Sequence, residues 1–311
     1  MFPQDTLSLQ SKIASLKEEK EGLLLVHNYQ LPEIQEIADY LGDSLELCLK
    51  AASIEDSKLI VFCGVDFMAE TAAILNPSKK VVLPTLSARC PMAAMLPASV
   101  LREKKEIYPD APVVLYVNTL AETKAEADVV CTSANAAHII GQLESDKVIF
   151  GPDVNLAFHV SRLNPDKKII PVPADGYCYV HRFFGDGEEA FELKKRHPDA
   201  ELLVHPECNP EFQIKADYVL STGQMYSHCQ KSEKKTFIIA TEVGLVDRLR
   251  REIPGKTFIP AMKYNECAAM KRITLENTYK ALRDEKPVID VPIRIAERAL
   301  IPIKRMIEMT R

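Results

Sequence analysis

Three stretches, LLLVHNY (23–29), VVLYVNT (113–119) and ELLVHPE (201–207), decide how this chain folds. In each, a continuous apolar run ends abruptly in polar residues. Strands buried on both faces of a parallel sheet read this way, because neither face alternates with solvent. His27, Tyr116 and His205 begin the polar ends, at intervals of 89 and 89 residues.

Working outward, the same interval returns. Asp39, Asp128 and Asp217, each preceded by Ala, are spaced 89 and 89; Ser44, Ser133 and Ser221 are spaced 89 and 88. Pro84, Pro171 and Pro260 follow at 87 and 89, and Cys90, Cys178 and Cys267 at 88 and 89. Five sets in the same order mark repeated structural units, each long enough for a compact βα domain of about four strands. Further apolar runs at Leu59–Phe62, Val81–Leu83, Asp128–Cys131, Val148–Phe150, Ile169–Val172, Asp217–Leu220, Phe237–Ala240 and Thr257–Ile259 read as strands. Helical stretches such as Phe67–Leu75, Asn135–Leu143 and Gly244–Ile253 alternate with them. The class is therefore α/β with parallel sheets. The units are placed at 1–90 (with an N-terminal helix), 91–178 and 179–267, and 268–311 forms C-terminal helices expected to pack back on the first unit. Leu9, Ile13 and Leu16 at one end, and Ala296, Leu300, Ile303 and Ile307 at the other, have the spacing of packing helices.

Composition sets the boundaries of the reading. The 311 residues are 47% hydrophobic and 27% charged, which excludes disordered and fibrous classes. Length alone, at roughly 150 residues per domain, would suggest two domains rather than three. No apolar run reaches the roughly 18 residues of a membrane span, and Met1-Phe2-Pro3-Gln4-Asp5 has no signal-peptide character, so a cytoplasmic protein is expected. The net charge of −5 shows no basic stripe for nucleic acid. The densest basic stretch, Arg294 to Arg311, is diluted by Glu297 and Glu308 and reads as a solvated helix face. The GxGxxG, GxxxxGK[ST] and HExxH signatures are all missing, as is any C-x-x-C.

Ligands of parallel sheets bind beyond the carboxyl ends of the strands, and the repeating residues sit at those ends. If three units pack around a pseudo-threefold axis, Cys90, Cys178 and Cys267 converge. Three thiolates suit a zinc ion with an open fourth position or a [4Fe–4S] cluster with one iron not held by cysteine. Cys48, Cys63, Cys131, Cys208 and Cys229 have no counterparts and read as buried apolar residues. Ser44, Ser133 and Ser221-Thr222 stand before helical segments as capping residues do, so three helix N-termini would make a pocket for a small polyanion, with His27 and His205 as further donors. Glu207 beside such a pocket is a candidate acid/base, with Tyr29 and Tyr116 as phenol donors.

At these residues the chain resembles the quinolinate synthase family. The resemblance is carried by HNYQLPEIQEIADYLGDS (27–44), FCGVDFMAETAAIL (62–75), CPMA (90–93), GPDVNLA (151–157), GYCYVH (176–181), HPEC (205–208), STGQM (221–225), ATEVGL (240–245) and CAAMK (267–271). YVNT, AETKAEAD and CTSANA between 116 and 136 extend it. One departure is Ala268, where family members often have Pro. The resemblance implies three pseudo-equivalent αβα domains around a [4Fe–4S] cluster on Cys90, Cys178 and Cys267. It implies condensation of iminosuccinate (iminoaspartate) with dihydroxyacetone phosphate to quinolinate, phosphate and water, the open iron acting as Lewis acid, and a functional link to an aspartate oxidase or dehydrogenase. His27, Ser44, Tyr116, Asn118, Ser133, His205, Glu207 and Thr222 would contact substrate, with Glu207, Tyr29, Tyr116 and His205 in catalytic roles. A readily hydrolysed imine further implies a buried cavity that opens by domain movement. A redox or iron sensor would need a partner-binding module, and the sequence offers none.

Overall fold

The computed structural model describes residues 3–55 and 57–310. The outer limits assigned to the first unit and the C-terminal segment, residues 1 and 311, lie outside the described residues, as does Arg311 of the basic stretch.

Among the described residues, twelve strands form three four-stranded sheets, and every pairing between these strands is parallel. The first contains β1 (Gly22–His27), β2 (Tyr40–Gly42), β3 (Leu59–Cys63) and β4 (Lys80–Val82), in the order β2-β1-β3-β4. The second contains β5 (Val113–Tyr116), β6 (Val129–Cys131), β7 (Lys147–Gly151) and β8 (Lys168–Pro171), ordered β6-β5-β7-β8. The third contains β9 (Glu201–Val204), β10 (Tyr218–Val219), β11 (Thr236–Ala240) and β12 (Thr257–Pro260), ordered β10-β9-β11-β12. Eleven of the twelve coincide with runs read from the sequence. The one missed, β2, is three residues long with an exposed first residue, Tyr40, so it carries neither an apolar run nor an alternation.

The repeated aspartates explain how such short edge strands hold register. The carboxylates of Asp39, Asp128 and Asp217 accept the N–H groups of Leu24, Val113 and Leu202, each at 2.7 Å. In return, the N–H groups of the same aspartates donate to the carbonyls of those three residues. Among the central strands β3 and β5 are buried from end to end, and β9 is buried beyond its first residue, as their continuous apolar runs require. Each large side chain so removed from water contributes about 1.5–3 kcal/mol.

The three sheets touch in a closed ring. Helix Pro32–Gln35 of the first meets helix Val243–Glu252 of the third, where Gln35 Nε2 donates to the Gly244 carbonyl at 2.9 Å. Helix Pro210–Gln213 of the third meets helix Val154–Leu163 of the second, where Gln213 Nε2 donates to the Asn155 carbonyl at 3.1 Å. Helix Ala121–Lys124 of the second meets helix Asp66–Leu75 of the first, and there Lys124 replaces the glutamine, its Nζ 5.3 Å from the Phe67 ring centre.

Helix Gln4–Glu19 packs on helix Leu275–Asp284, which also lies against β3. The last helix, Ile293–Thr310, lies mainly along β6 and helix Ala121–Lys124 of the second sheet, and it also meets helix Asp66–Leu75 of the first. Its buried residues include Ala299, Ile303, Met306 and Ile307, and with contacts to both sheets the C-terminal segment straddles two units. Among the described residues, no helix is long and apolar enough to cross a membrane.

Candidate active site

Where the central strands end, the ladder hydrogen bonds run out and the side chains turn toward the space between the sheets. Two repeat positions recur there. The first carries His27, Tyr116 and His205; the second, two residues on, carries Tyr29, Asn118 and Glu207. All six line one cavity, together with Ser44, Ser133 and Thr222 and with Cys90, Cys178 and Cys267. Of the residues singled out for a site from the sequence, all but Ser221 therefore border the same space.

The three cysteines are held alike. Cys90 and Cys178 stand immediately before the short helices Pro91–Ala94 and Tyr179–Arg182, and Cys267 before the turn leading to Met270–Arg272. Backbone N–H groups three residues on, those of Ala93, His181 and Met270, favour the thiolate form of each sulfur. Each cysteine's own N–H is taken by a carboxylate, Asp66 at 3.0 Å, Asp153 at 3.1 Å and Glu242 at 3.1 Å. These acids form a further repeat, spaced 87 and 89, that the sequence reading did not single out. The signal was available in FCGVDF, GPDV and ATEV, where an acid follows the third strand of each unit. Glu242 is itself neutralised by Lys271, whose Nζ lies 2.9 Å away.

Burial pushes all three thiols up, against the pull of these backbone donors. A bound cation is the ordinary means of holding such thiolates ionised at neutral pH. Three cysteines on one cavity thus fit a metal group, and their spread bears on which one. Among the described residues, the one set of three His, Cys, Asp or Glu ligand atoms all within 4.8 Å of each other is Cys178, His181 and Glu207. Cys90, Cys178 and Cys267 do not form such a set, so at least one pair of their sulfurs stands wider than a single tetrahedral zinc, with Zn–S near ~2.3 Å, would hold it. The five other cysteines are buried in the cores.

The capping expectation holds for one helix of three. Ser221 caps Thr222–Lys231, its hydroxyl accepting from Gln224 N, with the Gln224 side chain closing a capping box. In the first unit the cap is Asp43, whose carboxylate accepts the N–H groups of Leu45 and Glu46, so Ser44 is the first helical residue. In the second, Ser133 lies in a turn and Asn135 precedes the helix Ala136–Gly141 without a side-chain capping bond. An ionised aspartate outcompetes a neighbouring serine at a positive helix end. The second Asp43 oxygen reaches the third unit, accepting from Ser221 Oγ and Gly223 N, both at 3.2 Å. A Cβ on Gly223 would stand 2.7 Å from that oxygen, so any larger residue here would push the Asp43 carboxylate aside.

The donors are neutral. Burial lowers His27 and His205 to about 3 each. Their Nδ1 atoms accept the N–H groups of Tyr29 (3.2 Å) and Glu207 (3.3 Å), which leaves the ring proton on Nε2. Burial, reinforced by Glu207, drives the Tyr29 and Tyr116 phenols well up, so both stay protonated. Burial also acts to raise Glu207, but His181, His205 and Tyr116 together prevail and hold its carboxyl low, at about 2. The cavity therefore sets two carboxylate residues, Glu207 and Asp43, among a set of uncharged donors.

Two buried residues around this carboxylate were not among the sequence candidates. His181 Nδ1 lies 2.6 Å from Glu207 Oε2, an ion-pair contact off the straight N–H direction. Thr241 Oγ1 lies 2.9 Å from His181 Nε2 and 2.8 Å from the Tyr29 hydroxyl. Neither position repeats in kind, so the interval that revealed the rest was blind to them.

Comparison with known proteins agrees in extent. The family model described as quinolinate synthetase A protein matches residues 11–308. The quinolinate synthase of Methanothermobacter thermautotrophicus is 52% identical over 302 residues, covering 97% of this chain and 98% of its own. That of Thermococcus kodakarensis is 54% identical over 300 residues (96% and 97%), and that of Thermotoga maritima 47% over 298 (96% and 98%). On a match this complete, the chain belongs to the quinolinate synthetase A family of enzymes.

Proposed function

We propose that this chain condenses iminosuccinate (iminoaspartate) with dihydroxyacetone phosphate, giving quinolinate, phosphate and two waters in NAD biosynthesis. The observation that carries the reading is the convergence on one cavity of three cysteines, six strand-end residues and three hydroxyls. Cys90, Cys178 and Cys267 would hold a [4Fe–4S] cluster, which their spread favours over a single zinc ion. When bound, the cluster supplies a Lewis-acidic iron with an open position for the dehydrations.

The protein's own groups divide the remaining work. His27 and His205 offer Nε2–H donors without charge, and Ser44, Ser133, Thr222 and Asn118 offer hydroxyl and amide groups to the substrates' carboxylates and phosphate. Tyr29 and Tyr116, kept protonated, can give protons, while the Glu207 carboxylate beside them can take one. His205 orients Glu207 through its ring and its hydrogen bond to Glu207 N. Apolar wall residues such as Val65, Met68 and Met92 keep bulk water from an imine that hydrolyses readily. Domain movement would admit the substrates, and Asp43, bridging the first and third units, stands where such a movement would part them.

The same reading assigns three units, 1–90, 91–178 and 179–267, to a pseudo-threefold axis, supported by the closed ring of helix contacts. It also places the protein in the cytoplasm and links it to an aspartate oxidase or dehydrogenase that supplies the imine. Anaerobic purification with iron and sulfide analysis and an assay for quinolinate tests it. About four irons per chain and quinolinate formation are expected. Stoichiometric zinc without iron, or no quinolinate, overturns it.

A further inference from the structure

The joint between the first and third units carries a buried run of polar groups that ends at the cavity. Arg248, on helix Val243–Glu252, donates through a terminal guanidinium N–H to Asn28 Oδ1 at 2.6 Å, and Asn28 Nδ2 donates to Thr222 Oγ1 at 3.0 Å. Asn28 is 0% exposed, Thr222 3% and Arg248 9%. The guanidinium is held from other sides as well, by Glu252 Oε2 at 3.1 Å from its Nε and by the Tyr226 ring, whose centre is 4.2 Å from Cζ.

The direction of each hydrogen in this run follows from its first member. A guanidinium has donors and no acceptor, so the oxygen of the Asn28 amide faces it and the NH2 faces Thr222. That NH2 can only donate, so the Thr222 oxygen accepts there and its own proton points elsewhere. Among the described residues that proton has no acceptor, and Thr222 lines the cavity.

The repeat shows that the fold of a unit does not demand this arrangement. Asn28 directly follows His27, and the residues that follow Tyr116 and His205 are Val117 and Pro206. Arg248 lies six residues after Glu242, and six after Asp66 and Asp153 stand Ala72 and His159. Ala72 and Val117 line one small space, so the joint between the first and second units puts apolar side chains where this one puts the guanidinium and the amide.

We propose that Arg248 and Asn28 are positioning residues that commit the Thr222 hydroxyl to donate into the cavity, toward an anionic oxygen of a substrate. The proposal rests on the functional reading above, in which Thr222 contacts a substrate. A hydroxyl with both lone pairs free turns to whichever neighbour suits it, whereas one whose oxygen is already engaged presents its proton before the ligand arrives.

The test compares Asn28→Asp, Thr222→Val and the double variant with wild type as holoenzymes, with KM measured for iminosuccinate and for dihydroxyacetone phosphate in turn. The carboxylate introduced at position 28 accepts from Arg248 and from Thr222 alike, so it draws the hydroxyl proton back from the cavity. Asn28→Asp is expected to raise KM for at least one substrate by about 10- to 100-fold, the scale of one hydrogen bond to a charged group. Its kcat should stay within about threefold and its iron content should match wild type. The substrate whose KM rises tells whether Thr222 holds a carboxylate or the phosphate. Thr222→Val should raise the same KM, and adding Asn28→Asp to it should change that KM by less than about threefold, because both act through one proton. Unchanged KM for both substrates in Asn28→Asp overturns the proposal. So does full additivity in the double variant, which would assign the effect to the added charge or to a disturbed joint. If Asn28→Asp does not accumulate, Arg248→Met decides by the same cycle. A KM rise that disappears in the Thr222→Val background supports the proposal, and an equal rise in both backgrounds, or none, overturns it. A wild-type enzyme that makes no quinolinate overturns the underlying functional reading instead, which keeps the two failures apart.

Discussion

The two ends of the central strands obey one interval and use it differently. At the starts, position 39/128/217 is aspartate in all three units and does one job, clamping an edge strand through a carboxylate to Leu24, Val113 or Leu202. At the finishes, position 29/118/207 is Tyr, Asn and Glu, three different side chains facing one cavity. Identity across the repeat marks what every unit needs for itself. Divergence marks what the assembled molecule needs once. The cysteines sharpen the rule: they are identical in all three units yet face the cavity, as ligands sharing a single object would.

The largest effect should come from the identical set at the finishes. Ala at Cys90, Cys178 or Cys267 is expected to abolish iron retention and quinolinate formation, whereas Cys63→Ala or Cys131→Ala should keep both, measured by iron analysis after anaerobic purification. Iron retained in Cys178→Ala would break the reading of a shared ligand set. Next in size, Glu207→Gln should keep the cluster's absorbance while kcat falls by about 10²–10⁴, the usual contribution of a general acid or base. Near-normal turnover would remove Glu207 from the chemistry.

The clamps should behave in the opposite way. Asp128→Ala is expected to cost about 1 kcal/mol by urea melting, as an exposed hydrogen-bonding carboxylate would, with kcat unchanged. A kcat loss comparable to that of Glu207→Gln would erase the contrast between the two strand ends. The smallest effect concerns position 35/124/213, which is Gln, Lys and Gln. Burial depresses Lys124 to about 8, below its ordinary 10.5, with Glu70 opposing the shift. Between those pH values the unfolded chain holds a proton that the folded chain lacks, so stability should rise as pH increases from 8 to 10.5. Lys124→Gln should flatten that slope in urea midpoints taken across the range; an unaltered slope would place its origin elsewhere.

How much was legible in advance follows from what repeats. Continuous runs such as Leu59–Phe62 and the interval itself exposed the sheets and the cavity residues, because burial and symmetry both leave marks in sequence. Tyr40–Gly42 was not legible: its place in the sheet rests on parallel pairing with β1 and on Asp39, not on its own apolarity. Ser44 and Ser133 read as caps because serine caps helices in general, but Asp43 stands one residue earlier with a full charge. The acids beneath the cysteines repeat and went unnoticed, since two are Asp and one is Glu. His181 and Thr241 left no periodic trace, and only their mutual distances single them out.

The ring of helix contacts carries a consequence for how the molecule is made. The cavity wall draws on residues from His27 to Met270, so no emerging portion of the chain that stops short of the third unit can enclose it. Enclosure is therefore the closing event of biosynthesis, and an unfinished polypeptide offers its early cysteines to solvent with nothing to shelter them.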